Sequence, residues 1–301
     1  MFKKIIATIL MMVSLSAMSA ERISIVWGFA PGANQANFYR AIANELNTIQ
    51  NKYEFVFENR LGAGGAVAAR YVLSNPDTAI LGGTSTFFLR SQFDTQTGYS
   101  TSEFQPVLVQ TLGAPLILLS KKHQNLKDMS KQTTDATVSV SGFGSSSHLM
   151  ASVLKEVNPA VKIVNYTSLV DANKDIMGQH IDAGWNFYAD VDKLIESGTA
   201  QGLALTGKQS HNGIPTFQQL GVHGFENLTS NTAMYVSAKM PKDKVLEIHG
   251  YLREVNRNKK IKDFYAREYS NPADMDYEQT RQWYVQQEVF WTIQARKVKP
   301  F

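Results

Sequence analysis

Twice along this chain an apolar, strand-like run ends in a glycine-bearing turn that opens directly into an amphipathic helix. The first run, residues 23–29, leads through Phe29, Ala30, Pro31, Gly32 and Ala33 into a helix expected over 37–50, with apolar positions Phe38, Ile42, Leu46 and Ile49. The second, residues 137–141, leads through Gly142, Phe143, Gly144, Ser145, Ser146 and Ser147 into a helix over 147–157. Helical spacing after a strand, followed by another strand, requires a crossover connection between parallel strands. Loops at the carboxyl ends of such strands gather along one crevice. The alternation continues through strands at 53–58 and 79–81 in the first half. In the second half it continues through strands at 161–166, 181–187 and 203–206 and helices at 168–177 and 191–196. The order restarts after Lys121, which predicts two α/β lobes: residues 21–120 with 228–301, and residues 121–227. Strands at 104–111 and 115–120 close the first half. The helices expected over 241–256, 260–268 and 277–296 return to the first lobe.

A turn that starts a helix leaves backbone N–H groups unpaired at the positive end of the helix dipole, a natural seat for an anion. Candidate contacts are therefore Gly32, Ala33, Asn34, Gln35 and Asn37 in the first loop. In the second they are Gly142, Gly144, Ser145, Ser146, Ser147 and His148. One of the three serines is expected as the helix cap, and His148, in the first helical turn, is either packed and neutral or a ligand contact. Thr84, Ser85 and Thr86 follow a strand end in the first lobe and could add hydroxyls. In the second lobe Asn186, with Trp185 or Tyr188, could shape a distal pocket. Strand alternation puts Trp185 and Asn186 on opposite faces.

Composition limits what such a cleft can do. The chain has no cysteine, so disulfides and thiolate metal sites are ruled out. The net charge is +4, and Lys3 and Lys4 supply part of it, which is too little to indicate nucleic acid. Six scattered histidines show no metal-ligand spacing, and residues 142–148 lack the Gly-x-Ser-x-Gly of a nucleophile elbow. Gly62, Gly64 and Gly65 lack the third glycine spacing and the distant acid of a dinucleotide site. No metal, cofactor or catalytic set is expected. Residues 1–20 have a basic start, an apolar run at 5–15 and small residues to Ala20, the layout of an export signal. The run is shorter than the ~20 residues a membrane span needs. Cleavage after Ser19 or Ala20 would leave a mature periplasmic chain, and no cysteine follows to carry a lipid.

An ordered set of short motifs also resembles a known family. Phe29, Ala30, Pro31 and Gly32 precede a helix with Arg40. Glu58, Asn59 and Arg60 precede Gly62, Ala63, Gly64 and Gly65. Then come Asn75, Pro76 and Asp77; Phe104 and Pro106; Gly142, Gly144, Ser145 and His148; and Gly178, Ile181 and Asp182. Ser197 and Gly198 lead to a strand at 203–206, and Ile214, Pro215 and Thr216 to Leu220 and Gly221. This set is similar to the Bug-type periplasmic receptors of tripartite tricarboxylate transporters. The resemblance implies a Venus-flytrap fold with a mixed sheet in each lobe and a ligand cleft between them. It implies a monomeric receptor that delivers a small carboxylate to a membrane permease. The family pattern Pro-Gly-Gly-x-x-Asp is altered here: Ala33 replaces the second glycine and Ala36 the acid. Ala33 would disfavour a positive φ, and losing the acid removes a fixed acceptor. An uncharged or zwitterionic ligand, or a sensor module or enzyme on the same fold, is the alternative.

Overall fold

The computed structural model describes residues 20–93, 97–131 and 135–297, so residues 1–19 of the expected export signal lie outside the described part. The first sheet is built around β1 (Glu21–Trp27), β2 (Tyr53–Asn59) and β3 (Ala79–Thr84), which run parallel. Beside β3 lies β10 (Ser230–Ser237), antiparallel both to it and to β4 (Phe104–Ala114), and the two-residue β11 (Asn271–Pro272) edges the sheet. Both faces are covered, which is why β1 reads as a nearly continuous apolar run. Ile23, Ile25 and Trp27 pack with Phe38, Ile42 and Leu46 of α1 (Asn34–Ile49) and with Ile248 and Leu252 of α8 (Lys242–Arg257). The opposite face holds Val26, Phe88 of α3 (Thr86–Phe93) and Trp283, Tyr284 and Trp291 of α10 (Tyr277–Ala295). The helix α2 (Ala66–Ser74) lies on that same face, and α9 (Lys259–Arg267) joins α1 and α8. The C-terminal helices thus pack on the first sheet.

The second sheet has the order β7–β6–β8–β5–β9, formed by β5 (Leu116–Ser120), β6 (Ala136–Val140), β7 (Val161–Asn165), β8 (Ala183–Phe187) and β9 (Gln201–Leu205). Three strands, β7, β6 and β8, are parallel; β5 runs against β8 and β9. Around it lie α4 (Leu126–Ser130), α5 (Ser146–Val157), α6 (Leu169–Met177) and α7 (Tyr188–Glu196). Residues 116–120, expected in the first lobe, pair entirely within this second sheet. The chain passes from one sheet to the other at Pro115, where only one residue separates β4 from β5. It returns through 206–229. The two passages are strapped together: the Thr206 N–H donates to Leu116 O at 2.8 Å, and the Leu116 N–H to the Thr206 hydroxyl at 3.0 Å.

The sequence did not suggest α3. Its Phe87, Phe88 and Leu89 are consecutive rather than helically spaced, and the helix is held by tertiary packing. Phe87 stacks on Tyr235 at 4.3 Å, and Phe88 meets Tyr284 at 5.3 Å.

Candidate ligand-binding cleft

The carboxyl ends of β1, β3, β6, β7 and β8 face one another across the gap between the sheets. Two adjoining cavities fill it, an inner one of about 160 Å3 and an outer one of about 620 Å3. They share Phe29, Ala30, Ser141, Thr167 and Ser168. The rim of the outer cavity includes Gly62, Ala63 and Gly64, and with Gly65 these form four successive residues of positive φ. Such a run needs glycine at most positions, and it explains that motif without any nucleotide.

The first loop divides. Gly32, Ala33 and Gln35 line the inner cavity. Ala33 sits at φ −67°, ψ 152° as the residue before α1, so the strain expected from a positive φ does not arise. Asn34 does not face the cavity; it reaches the other lobe. Its backbone N–H donates to Asp190 Oδ1 at 3.3 Å, and its Nδ2 donates to Ala189 O at 2.9 Å. The anion at the start of α1 is therefore a carboxylate of the protein itself. Asn37, expected at the ligand, is exposed and accepts from Arg40 Nη1 at 2.8 Å. It lies on the outer face, two helical positions on from the buried Gln35 and so on a different side of α1.

The second loop divides in the same way. Gly142 lines the outer cavity and Ser141 both, whereas Gly144, Ser145, Ser146, Ser147 and His148 line neither. Four of those five shape the turn, and Ser146 reaches the other lobe. Ser145 caps α5, accepting the His148 N–H at 3.2 Å, and the Ser147 hydroxyl accepts the Ser141 N–H at 2.9 Å. The Ser146 hydroxyl meets Thr86 Oγ1 at 3.1 Å, a second link between lobes. His148 Nδ1 accepts the Gly144 N–H at 3.0 Å. Burial, with the positive charge of Arg90, lowers the His148 pKa to about 4, so it is neutral and packed. Gly144 has φ +76°, and a Cβ there would lie 2.9 Å from Phe93, so a side chain at this position strains the turn before it meets any ligand.

Of the remaining candidates, Thr84 lines the inner cavity, while Ser85 is buried and accepts the Asn231 N–H at 3.1 Å. Trp185 is fully buried, stacked against the ring pair of Phe217 at 5.4 Å and Phe225 at 5.7 Å, and does not line the cleft. Its neighbour Asn186 does. Asn186 is 1% exposed and lines the inner cavity, and neither of its amide atoms has a hydrogen-bond partner among the described residues. Trp27 Nε1 and Asn173 Oδ1 line the same cavity in the same unpaired state. Buried polar atoms are rarely left so, and together they mark where a ligand's polar groups would sit. Thr86, named with Thr84 and Ser85 from the sequence, also lines the inner cavity, whereas Trp27, Asn173, Asp190 and the turn at 166–168 were not singled out. The turn could have been, since it follows β7 and precedes the Ser168 cap of α6.

Carboxylates gather where the lobes meet. Burial, despite the Asn34 N–H and helped by Asp192, raises the Asp190 pKa to about 6. Burial and the charges of Asp190 and Asp192, opposed by Arg267, raise that of Glu268 to about 8. A carboxyl whose folded pKa is raised destabilises the fold as pH climbs from its ordinary value of 4.5 through the shifted one. Glu268→Gln keeps an acceptor for Gln35 Nε2, which now donates to Glu268 Oε2 at 2.8 Å. We expect this variant to be more stable than the parent at pH 8 by on the order of 2 kcal/mol. The gap should close by pH 5, and thermal melts at the two pH values check it; a constant difference would remove Glu268 as its source.

The contacts across the gap also set an expectation for Asn34→Ala. Losing the Nδ2 bond to Ala189 weakens the closed arrangement by about 1 kcal/mol, hence ligand affinity by roughly fivefold, with little change in melting temperature. Calorimetric titration beside a melt tests this; an equal loss of both would make Asn34 a general fold residue.

Two mixed sheets joined by two passages, with a cleft between their strand ends, define a two-lobed periplasmic-binding-protein fold. Solved structures share it: periplasmic binding protein BugD (21% identity, 92% of this chain and 97% of that one, TM-score 0.82), an R. palustris protein with adipate (20%, 92% and 97%, 0.82), and MatC from Rhodopseudomonas palustris with bound malate (18%, 91% and 99%, 0.81). No curated protein matches the sequence. Residues 38–295 match the model of the tripartite tricarboxylate transporter family receptor, and the chain belongs to that family.

Proposed function

We propose that this protein is an exported periplasmic receptor that closes over a small carboxylate and presents it, as a monomer, to a tripartite tricarboxylate-type permease. Residues 1–20 act as the export signal. The observation that carries this reading is the cleft itself. Both sheets end in it, polar atoms without partners line it, and hydrogen bonds from one lobe to the other hold it shut. Family membership and two similar folds, one with adipate and one with malate, support a carboxylate ligand. The carboxylate end belongs in the outer cavity. There Arg90 is the one basic residue lining either cavity among the described residues, beside Ser141, Gly142 and the turn at 166–168. Asp171, the acid on that rim, is tied to Lys174 at 2.8 Å. Closure follows from a ligand that touches both lobes and so stabilises only the closed form. We read the chain as a receptor and assign it no reaction.

The test is a thermal-shift panel of mono- and dicarboxylates, amides and sugars, with mass spectrometry of any ligand carried through purification. Stabilisation confined to carboxylate-bearing compounds is expected. Stabilisation by amides or sugars alone would end the carboxylate reading.

A further inference from the structure

The inner cavity differs in charge from the outer one, whose lining carries both Arg90 and Asp171. Among the described residues lining the inner cavity there is no Lys, Arg or His, and Asp190 is its one charged group. Asp190 Oδ1 accepts the Asn34 N–H, and Oδ2 has no hydrogen-bond donor among the described residues. The first-loop helix start, which would otherwise attract an anion, is thereby taken up by the protein. Asn186, 1% exposed with both amide atoms unpaired, and Asn173, with Oδ1 unpaired, line the same space. An amide can be turned to offer a donor or an acceptor, so the two asparagines suit many ligands. A carboxylate cannot turn in this way. A second carboxylate pushed against Asp190, with Asp192 behind it, meets like charge in a partly dry site. A buried ammonium there would find the paired charge and the acceptors it needs.

We propose that the inner cavity is an ammonium subsite, so that the ligand is a zwitterion, a small carboxylate bearing a primary amine. This rests on the receptor reading above: the carboxylate lies toward Arg90 and Ser141, the amine toward Asp190 and Asn186. The arrangement selects against dicarboxylates by repulsion as well as for amines by attraction.

Titration calorimetry on the purified full chain tests it. The amino-bearing probes are the L-α-amino acids with 3-aminopropanoate, 4-aminobutanoate and 5-aminopentanoate. They are set against the same carboxylates without the amine and against dicarboxylates of three to six carbons. At least one amino-bearing probe should bind roughly tenfold or more tighter than its amine-free counterpart and than every dicarboxylate. Asp190→Asn should cost that probe roughly tenfold and strengthen dicarboxylate binding, whereas Asp190→Glu, which keeps the charge, should retain the preference. The wild-type comparison stands even if a variant fails to fold. Amine-free carboxylates or dicarboxylates binding as tightly as every amino-bearing probe would overturn the ammonium subsite and leave the receptor reading intact. No binding by any carboxylate, with or without an amine, would overturn both.

Discussion

Asn186→Leu should stabilise the ligand-free protein and cripple it as a receptor. The wild-type side chain keeps an unpaired donor and an unpaired acceptor in a nearly closed space. Such groups cost about 1–3 kcal/mol each when nothing satisfies them. Leucine has the same branched outline and no polar atom, and the adjoining cavity takes its extra bulk, so the empty variant gains about 1–2 kcal/mol. That corresponds to a rise in melting temperature of roughly 2–6 °C for a chain of this size. The ligand, by contrast, loses two hydrogen bonds made out of water, and its affinity falls by about 30- to 100-fold. Melts without ligand and titration with it give the two numbers. A lower melting temperature with unchanged affinity would mean that Asn186 serves the protein and not the ligand.

One residue earlier the outcome reverses. Trp185→Ala should cost about 3–5 kcal/mol, because it opens a large cavity beneath the second sheet. The indole is fully buried against the Phe217 and Phe225 rings, which stack on each other at 4.1 Å. Urea unfolding followed by circular dichroism should show an earlier midpoint with little change in slope. A loss below 1 kcal/mol would show that the neighbouring rings close the gap. These two substitutions on adjacent positions of β8 separate the face that builds the lobe from the face that meets the ligand.

Much of the frame was legible in the sequence. Phe38, Ile42 and Leu46 reveal α1 by their spacing, and the strand–helix order that restarts in the second half reveals a second sheet. What escaped was of another kind. The strand β5 follows β4 after a single residue, and nothing local marks that its hydrogen bonds go to β8 and β9. The helix α3 carries no helical apolar period; partners far along the chain create it. Within the second loop, residue types correctly marked a turn that starts a helix. Yet Ser145, Ser147 and His148 bond to the loop's own backbone. A polar side chain on a tight turn can serve the turn or a ligand, and composition does not separate the two. Asp190 was invisible for the opposite reason. As an acid in the first turn of a helix it looks like an ordinary dipole partner. Only the docking of the lobes shows that it meets the start of a different helix.

The place of β10 in the first sheet bears on how the protein is made. This strand lies between β3 and β4, yet it follows the whole second sheet in the chain. Half-synthesised chains therefore lack a central strand, and the first sheet stays open until residue 230 and beyond are available. Contacts of such long sequence separation form slowly. On the export reading proposed above, that delay would be useful, because the polypeptide would not lock into its final shape while most of it is still on the synthetic side. The order of strands thus ties completion of the first sheet to the last third of the chain, separate from anything the cleft does once the sheets have closed.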